Sequence, residues 1–340
     1  MANANAAARS TNMALLPIEK RSPKLLLPAD NHTVLLPQTF KEGFTQSEIG
    51  TWDDCAEKWY LSYNQRLEKK GGFEWHFVYG DAVHETLADF YRDGTEKIAA
   101  LQFPEGTILT SQQEQERDMW QGILQVQMEQ YFQFYADDLA TWSTWAVEET
   151  VEFTFRDVKL KGKIDVGHCV DGVKGNVLDD HKTYGLDDYE GWNFRFQFMF
   201  YIWLVQKAKK IKIDKFLVNG IRKPQLRLGK NESVASFMVR VRQAMIQEPL
   251  KYFQRHPLPM IKNSMEHFEQ RVLIPKVERI KLLTQAATPA NIVEALARNQ
   301  NTHTCVKYGS TCQFLSICKH GYLRDGHNYT RRETKHVELA

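Results

Sequence analysis

The clearest pattern in the chain is an alternation of apolar and polar positions in its middle. Val147 to Phe155 alternates in period two, and so does Val158 to Val166, so each predicts a strand with one buried face. Asn176 to Lys182 predicts a third short strand. Asp171-Gly172 marks the turn before it, although Val173 to Gly175 make the connection longer than a two-residue hairpin loop. A strongly apolar helix is predicted from about Trp192 to Lys207, then a fourth strand from Lys215 to Ile221.

Helical spacing surrounds this block. Thr45 and Glu48 form a T-x-x-E capping box ahead of a helix running to about Tyr63. Gly80 opens a second helix, with Val83, Leu87, Phe90 and Tyr91 on one face, and Gly94 stops it. A long helix is expected over Ser111 to Leu139, and helices over most of the rest to about Arg298. This order predicts an α/β fold, a core sheet flanked by helices and covered by helical segments from both ends of the chain. Residues 1–40, rich in Ala, Asn and Pro, read as a disordered tail. Residues 41–325 read as a single domain, and residues 326–340 as a flexible C-terminal tail.

Composition narrows the functional classes. The chain has 340 residues, 43% hydrophobic and 25% charged, which is ordinary globular composition. A net charge of +2 means that any basic surface must be local. No apolar run approaches the roughly 20 residues of a membrane span, and the N-terminus lacks the layout of a signal peptide. A cytoplasmic protein without a membrane partner is therefore expected. Five cysteines, an odd number in such a chain, favour metal or cluster ligation over disulfides.

Three short segments carry the candidate chemistry. Gly162-Lys163-Ile164-Asp165 ends the second strand, Asp180-His181-Lys182 lies on the third, and Gln197 and Tyr201 sit one turn apart on the helix that follows. Phosphodiester hydrolysis needs a divalent cation to polarise the phosphate and activate a water, and Mg2+ or Mn2+ prefers oxygen ligands. Asp165 and Asp180, on neighbouring strands, can converge on one ion. Lys182 projects on the same face as Asp180, where its ammonium can orient the water or steady developing charge. The His181 side chain points the other way, into the core, while its carbonyl can reach the metal. His84, early in an amphipathic helix, suits the completion of a carboxylate site.

Cys305, Cys312 and Cys318 form C-x6-C-x5-C, and Cys55 lies far upstream on the first helix. Three close cysteines with one distant partner suit a [4Fe–4S] cluster. A four-thiolate zinc site is the rival, although such sites more often use C-x2-4-C knuckles. Cys169 reads as a buried small side chain.

Together these residues resemble the RecB-like PD-(D/E)XK nucleases with iron–sulfur clusters, the group of the AddB nuclease domain and the CRISPR-associated RecB-like exonucleases. WDDCAEKWYLSY (Trp52 to Tyr63) resembles their first cysteine helix, and GDAVHETL, ending at Leu87, their histidine motif. GKIDV and LDDHKTY look like the two core motifs, Gln197 with Tyr201 the trailing Q-x-x-x-Y element, and the last three cysteines the C-terminal group. The resemblance spans roughly residues 45 to 325. It implies a metal held by His84, Asp165 and Asp180, hydrolysis assisted by Lys182, and DNA as substrate, single-stranded or with an accessible end. The chain departs from the family in two places. The gap before Cys312 is six residues where relatives often have two, and Glu148, Glu149 and Glu152 compete for the glutamate on the preceding strand.

Lys209, Lys210, Arg222 and Lys223 are candidate phosphate contacts, with a solvated face as the alternative. Trp142, Trp145, Trp192 and Trp203 are candidates for stacking on bases or for core packing. The expected partners are DNA and a helicase or recombination protein, since no G-x-x-x-x-G-K-[ST] motif is present. A free-standing gene of this length suits a phage or mobile element. A catalytically silent iron–sulfur partner in recombination is the alternative function, but it is expected to lose at least one of Asp165, Asp180 and Lys182. A restriction-like endonuclease is expected to carry a separate recognition domain.

Overall fold

The computed structural model describes residues 42–104, 106–185, 195–260, 263–285, 300–307, 310–320 and 325–339. The expected tail over residues 1–40, the start of the helix expected at Trp192 and the stretch approaching Arg298 lie outside the described residues.

The period-two block forms the sheet. Strands β1 (Phe44–Thr45), β3 (Trp142–Phe155), β4 (Val158–Val170), β5 (Asn176–Tyr184), β6 (Ile213–Arg222) and β7 (Phe253–Pro257) make one mixed sheet. Strand β2 (Leu67–Lys69) stands outside it. β3 pairs antiparallel along one edge of β4. The other edge of β4 is shared, with β1 parallel to it at Leu160 and Lys161 and β5 antiparallel to it at Val166–His168. Between these two pairings, Gly162 to Asp165 have no ladder partner on that edge among the described residues. β6 then runs parallel to β5, and β7 antiparallel to β6.

Helices cover both faces. α1 (Gln46–Asp54) and α4 (Phe196–Lys209) share a core with Leu160, Ile164, Leu178 and Phe216. α2 (Trp75–Asp93), α3 (Ser111–Phe134) and α5 (Val234–Gln247) build the other core, with Val166, Ile221 and Phe253. The expected α/β class, with a central sheet between helical layers, is what the structure shows. No helix among the described residues is long and apolar enough to cross a membrane.

Several boundaries move for physical reasons. The helix expected from Thr45 to Tyr63 breaks at Cys55, which is extended (φ −164°, ψ 118°). Helix resumes over Ala56–Trp59 and closes in a π-turn at Tyr60–Asn64. The capping box is only half formed. Thr45 Oγ1 accepts from the Glu48 N–H at 3.1 Å, but the Glu48 carboxylate is buried against Trp59 Nε1 and Lys335. α2 starts at Trp75 rather than Gly80, because the buried Val78 and Tyr79 extend its apolar face backwards. Gly94 closes it in the left-handed region, as its lack of a Cβ permits. β7 forms where helix was expected. It completes the sheet beside β6, a pairing between distant segments that local periodicity does not report.

Of the flexible tail expected at 326–340, residues 326–339 are described, and they are folded onto the domain. After the short strands β8 (Val306–Lys307) and β9 (Ser310–Thr311), β10 (Tyr329–Arg331) pairs antiparallel with β2. Lys335 reaches the buried Glu48 at 2.8 Å and donates to Gly43 O at 3.1 Å.

Candidate metal centre and catalytic cleft

The unpaired stretch of β4 opens a cavity of about 880 Å³. The end of β1 and the start of α1 line one side of it and α2 another. Gly162, Lys163 and Asp165 line its floor, and Lys182, Gln197 and Tyr201 also line it.

Asp165 lies where the β4–β5 ladder ends. Its Oδ2 accepts the His181 N–H at 2.6 Å, in place of a strand-to-strand bond. Its Oδ1 lies 3.6 Å from His84 Nδ1, which is also 3.4 Å from Glu148 Oε1. His84, Glu148 and Asp165 thus offer ligand atoms that all lie within 4.8 Å of one another. Burial and the neighbouring Asp180 raise the Asp165 carboxyl to about 7, against the charge of His84. Burial opposes charge on His84, but Asp165 and Glu148 outweigh it and lift the imidazole to about 9. Burial also works against the Glu148 carboxylate, yet His84 and Lys163, the latter 3.0 Å away, hold it below the usual range.

Of the three competing glutamates, the structure brings Glu148 to the site. Glu149 pairs with Lys209 at 2.6 Å and Glu152 with Lys159 at 2.6 Å. Glu148 has φ +48°, the left-handed region that a non-glycine residue seldom adopts. That bend breaks the period-two alternation and re-aims its carboxylate, so face-counting along β3 could not choose it.

The other sequence candidates fall as follows. Asp180 is ion-paired with Lys182 and is not one of the three clustered ligands. The His181 ring is buried, as expected, and accepts from Asn219 Nδ2 at 2.9 Å; burial holds it well below the usual range, so it is neutral. The His181 carbonyl lies 3.5 Å from Lys182 Nζ. Gln197 Nε2 lies 3.5 Å from the Tyr201 hydroxyl, whose pKa burial raises, so Tyr201 stays a neutral donor. None of Lys209, Lys210, Arg222 and Lys223 lines this cavity. Trp142 is stacked between Tyr91 and His168, and Trp203 is buried with its Nε1 donating to Glu269. Trp145 packs over Gly167, and Trp192 lies outside the described residues.

The C-terminal wall went unseen in the sequence. Val337, Glu338 and Leu339 line the cavity, and Thr45 Oγ1 donates to Glu338 Oε1 at 2.6 Å. No local pattern announces a contact between segments 293 residues apart.

The four candidate cluster cysteines gather from both ends of the chain. Cys55 stands at the break after α1. The preceding carbonyl, Asp54 O, accepts from Asn301 Nδ2 at 2.9 Å, just before Cys305. Cys312 N–H donates to Cys305 O at 2.8 Å. Burial, then Glu57, then the sulfurs of Cys312, Cys55 and Cys305 push the Cys318 thiol up to about 12. Cys169 stays apart on β4, its Sγ donating to Asn176 Oδ1 at 3.3 Å.

The donor set fits a hard divalent cation, with two carboxylates and an imidazole around a carboxylate-rich wall. Asp81, Glu85 and Asp89 add further acid, against Lys163, Lys182 and Arg92. An anionic substrate approaching such a wall is repelled unless a cation sits among the carboxylates.

A sequence model of the PD-(D/E)XK nuclease superfamily matches residues 43–319. No curated protein matches the chain. Among solved structures, one described as a "putative exonuclease" from Eubacterium rectale aligns over 72% of this chain and 94% of its own, with 15% identity and a TM-score of 0.33.

Proposed function

Since the chain belongs to the PD-(D/E)XK nuclease superfamily, we propose that it is a divalent-metal-dependent deoxyribonuclease, an exonuclease on single-stranded or end-accessible DNA. The observation that carries this reading is the clustering of His84, Glu148 and Asp165 within 4.8 Å in a cleft that also holds Lys182.

His84, Glu148 and Asp165 would hold Mg2+ or Mn2+, with Asp180 and the His181 carbonyl close by. A cation held there would polarise the phosphate and lower the pKa of a water bound to it. Lys182, aimed by its ion pair with Asp180, contributes positive charge where the phosphorane charge develops. Tyr201, positioned by Gln197, offers a neutral hydroxyl donor in the same cleft. The acidic wall discourages the scissile phosphate from settling there without the metal, so the binding of that one phosphate and of the metal is coupled.

Cys55, Cys305, Cys312 and Cys318 would hold a [4Fe–4S] cluster. The nearness of the Cys55, Cys305 and Cys312 sulfurs to Cys318, close enough to act on its thiol, supports one shared site, and a metal that bound there would draw the protons off. A helicase or recombination protein is the proposed partner.

The test is cleavage of end-labelled single-stranded and duplex DNA with Mg2+ or Mn2+, using protein purified without oxygen. Asp165→Asn, Glu148→Gln and Lys182→Ala should each lower kcat by about 10²–10³-fold. Products should shorten progressively from an end. A protein that binds DNA without cutting it under any of these conditions would instead be the silent recombination partner. Iron and acid-labile sulfide should co-purify and be lost in Cys318→Ala; stoichiometric zinc would replace the cluster assignment.

A further inference from the structure

The catalytic cavity continues into a second one. α2 places Asp81 in the first and Phe77, four residues earlier, in a neighbouring cavity of about 510 Å³. α1 does the same in the opposite sense, with Ser47 in the first and Thr51 in the second. Residues four apart on a helix are neighbours on one face, about one turn of 5.4 Å along the axis. Both cavities therefore belong to a single groove between α1 and α2, and the second lies one turn beyond the catalytic site.

The groove changes character over that step. The acidic catalytic wall gives way to Lys58, Lys69 and Arg332, against Glu68 and Glu74, with Lys70 exposed beside them. The segment that carries Glu68, Lys69, Lys70 and Glu74 is firmly framed. β2 pairs with β10, and Lys70 N–H donates to Asn328 O at 2.9 Å. Phe73 and Trp75 lock edge-to-face against Phe103, and Trp75 Nε1 donates to Glu116 at 3.0 Å. Those two rings serve packing. The next two do not, since Phe77 is 63% exposed and the exposed His76 ring lies 4.1 Å from it. A single exposed Phe is common on protein surfaces. This one stands among cations, in a groove that leads to a metal-ligand cluster, about 10 Å along the helix axis from His84.

We propose that this groove receives the unpaired strand of the substrate, with Phe77 stacking on a base and Lys58, Lys69 and Arg332 holding phosphates. The inference rests on the nuclease reading and adds the strand preference to it. Stacking needs an open base face, so the subsite selects unpaired over paired DNA. The cations supply sequence-independent affinity.

The experiment measures anisotropy of a labelled oligothymidylate and of a blunt duplex with the full chain in EDTA. Phe77→Ala, Phe77→Trp and the Lys69→Ala/Lys70→Ala pair are compared with wild type. Phe77→Ala should weaken oligothymidylate binding by about five- to a hundredfold and leave duplex binding unchanged, while Phe77→Trp keeps it. The lysine pair should reduce the salt slope by about 0.7 for each phosphate that is no longer neutralised. With metal added, Phe77→Ala should raise KM at unchanged kcat. Because Phe77 is exposed, the variant should melt with wild type, which thermal unfolding checks. Unchanged oligothymidylate binding in Phe77→Ala, or equal weakening on duplex, would overturn the inference. The binding assay needs no catalysis. A wild type that binds through Phe77 but never cuts sinks the nuclease reading and leaves the groove, whereas cleavage with an indifferent Phe77→Ala does the reverse.

Discussion

Asp165 and His84 both keep their protons to higher pH than such groups ordinarily do. Asp165 is lifted from its ordinary 3.8 to about 7 by burial and Asp180, and His84 from 6.5 to about 9 by its two carboxylates. A ligand set must be deprotonated to bind metal, so metal binding should release protons. Mn2+ affinity should rise as pH climbs through 7 towards 9, and calorimetry in buffers of different ionisation enthalpy should register the release. Asp165→Asn should abolish its share. The stability linkage has the matching sign, since both folded-state pKa values are raised. The contribution from Asp165 is full below about 3.8 and is lost as pH rises through about 7; that from His84 is full below about 6.5 and is lost through about 9. The gain in melting temperature on adding Mn2+ should therefore be larger at pH 8 than at pH 6, and equal gains would count against this site.

At the scale of elements, the glycine of Gly162-Lys163-Ile164-Asp165 has a packing role. A Cβ on Gly162 would lie 2.8 Å from Tyr201 Cε1 and 3.4 Å from Leu204 Cδ2, so α4 can seat against β4 only because that side chain is absent. The two motifs are therefore one construction, with the glycine admitting the helix that brings Gln197 and Tyr201 to the cleft. Gly162→Ala should cost about 1–3 kcal/mol, read by urea unfolding, and should lower activity as α4 shifts. Combined with Tyr201→Ala it should cost less than the sum of the two changes. The strand alternation announced β3, β4, β5 and β6 with ends a few residues short. It could not announce β7, or the break at Cys55, because each answers to a distant segment rather than to its own neighbours.

Over the whole molecule, the two ends of the described chain are fastened together beneath the cleft. Glu48 and Lys335, both fully buried, form an ion pair that Trp59 and the Gly43 carbonyl complete. Burial raises the Glu48 carboxyl, while Lys335 and His336 counter it. Removing one partner of such a pair leaves a buried charge uncompensated. Lys335→Met should cost about 3–5 kcal/mol in chemical denaturation, and adding Glu48→Gln should recover part of that. Because Val337 to Leu339 wall the cleft, the same variant should also weaken substrate binding. The proposed cluster would tie the ends a second time, with Cys55 and Cys305 250 residues apart. A closure of that length removes much unfolded-chain entropy, so loss of the proposed cluster should lower the melting temperature even where activity survives.

The sequence by itself determined the α/β class, the succession of motifs and most of the candidate residues that line the cleft, His84, Asp165, Lys182, Gln197 and Tyr201 among them. It could do so because strand alternation and residue types are local properties. Only the tertiary structure decided that Glu148 rather than Glu149 or Glu152 faces His84, since that choice depends on a left-handed backbone bend and on the ion pairs that occupy the other two. It also decided that residues 326–339 close the cleft instead of trailing from it. That outcome depends on β10 finding β2 and Lys335 finding Glu48, contacts whose energy comes from burial between segments far apart in the chain.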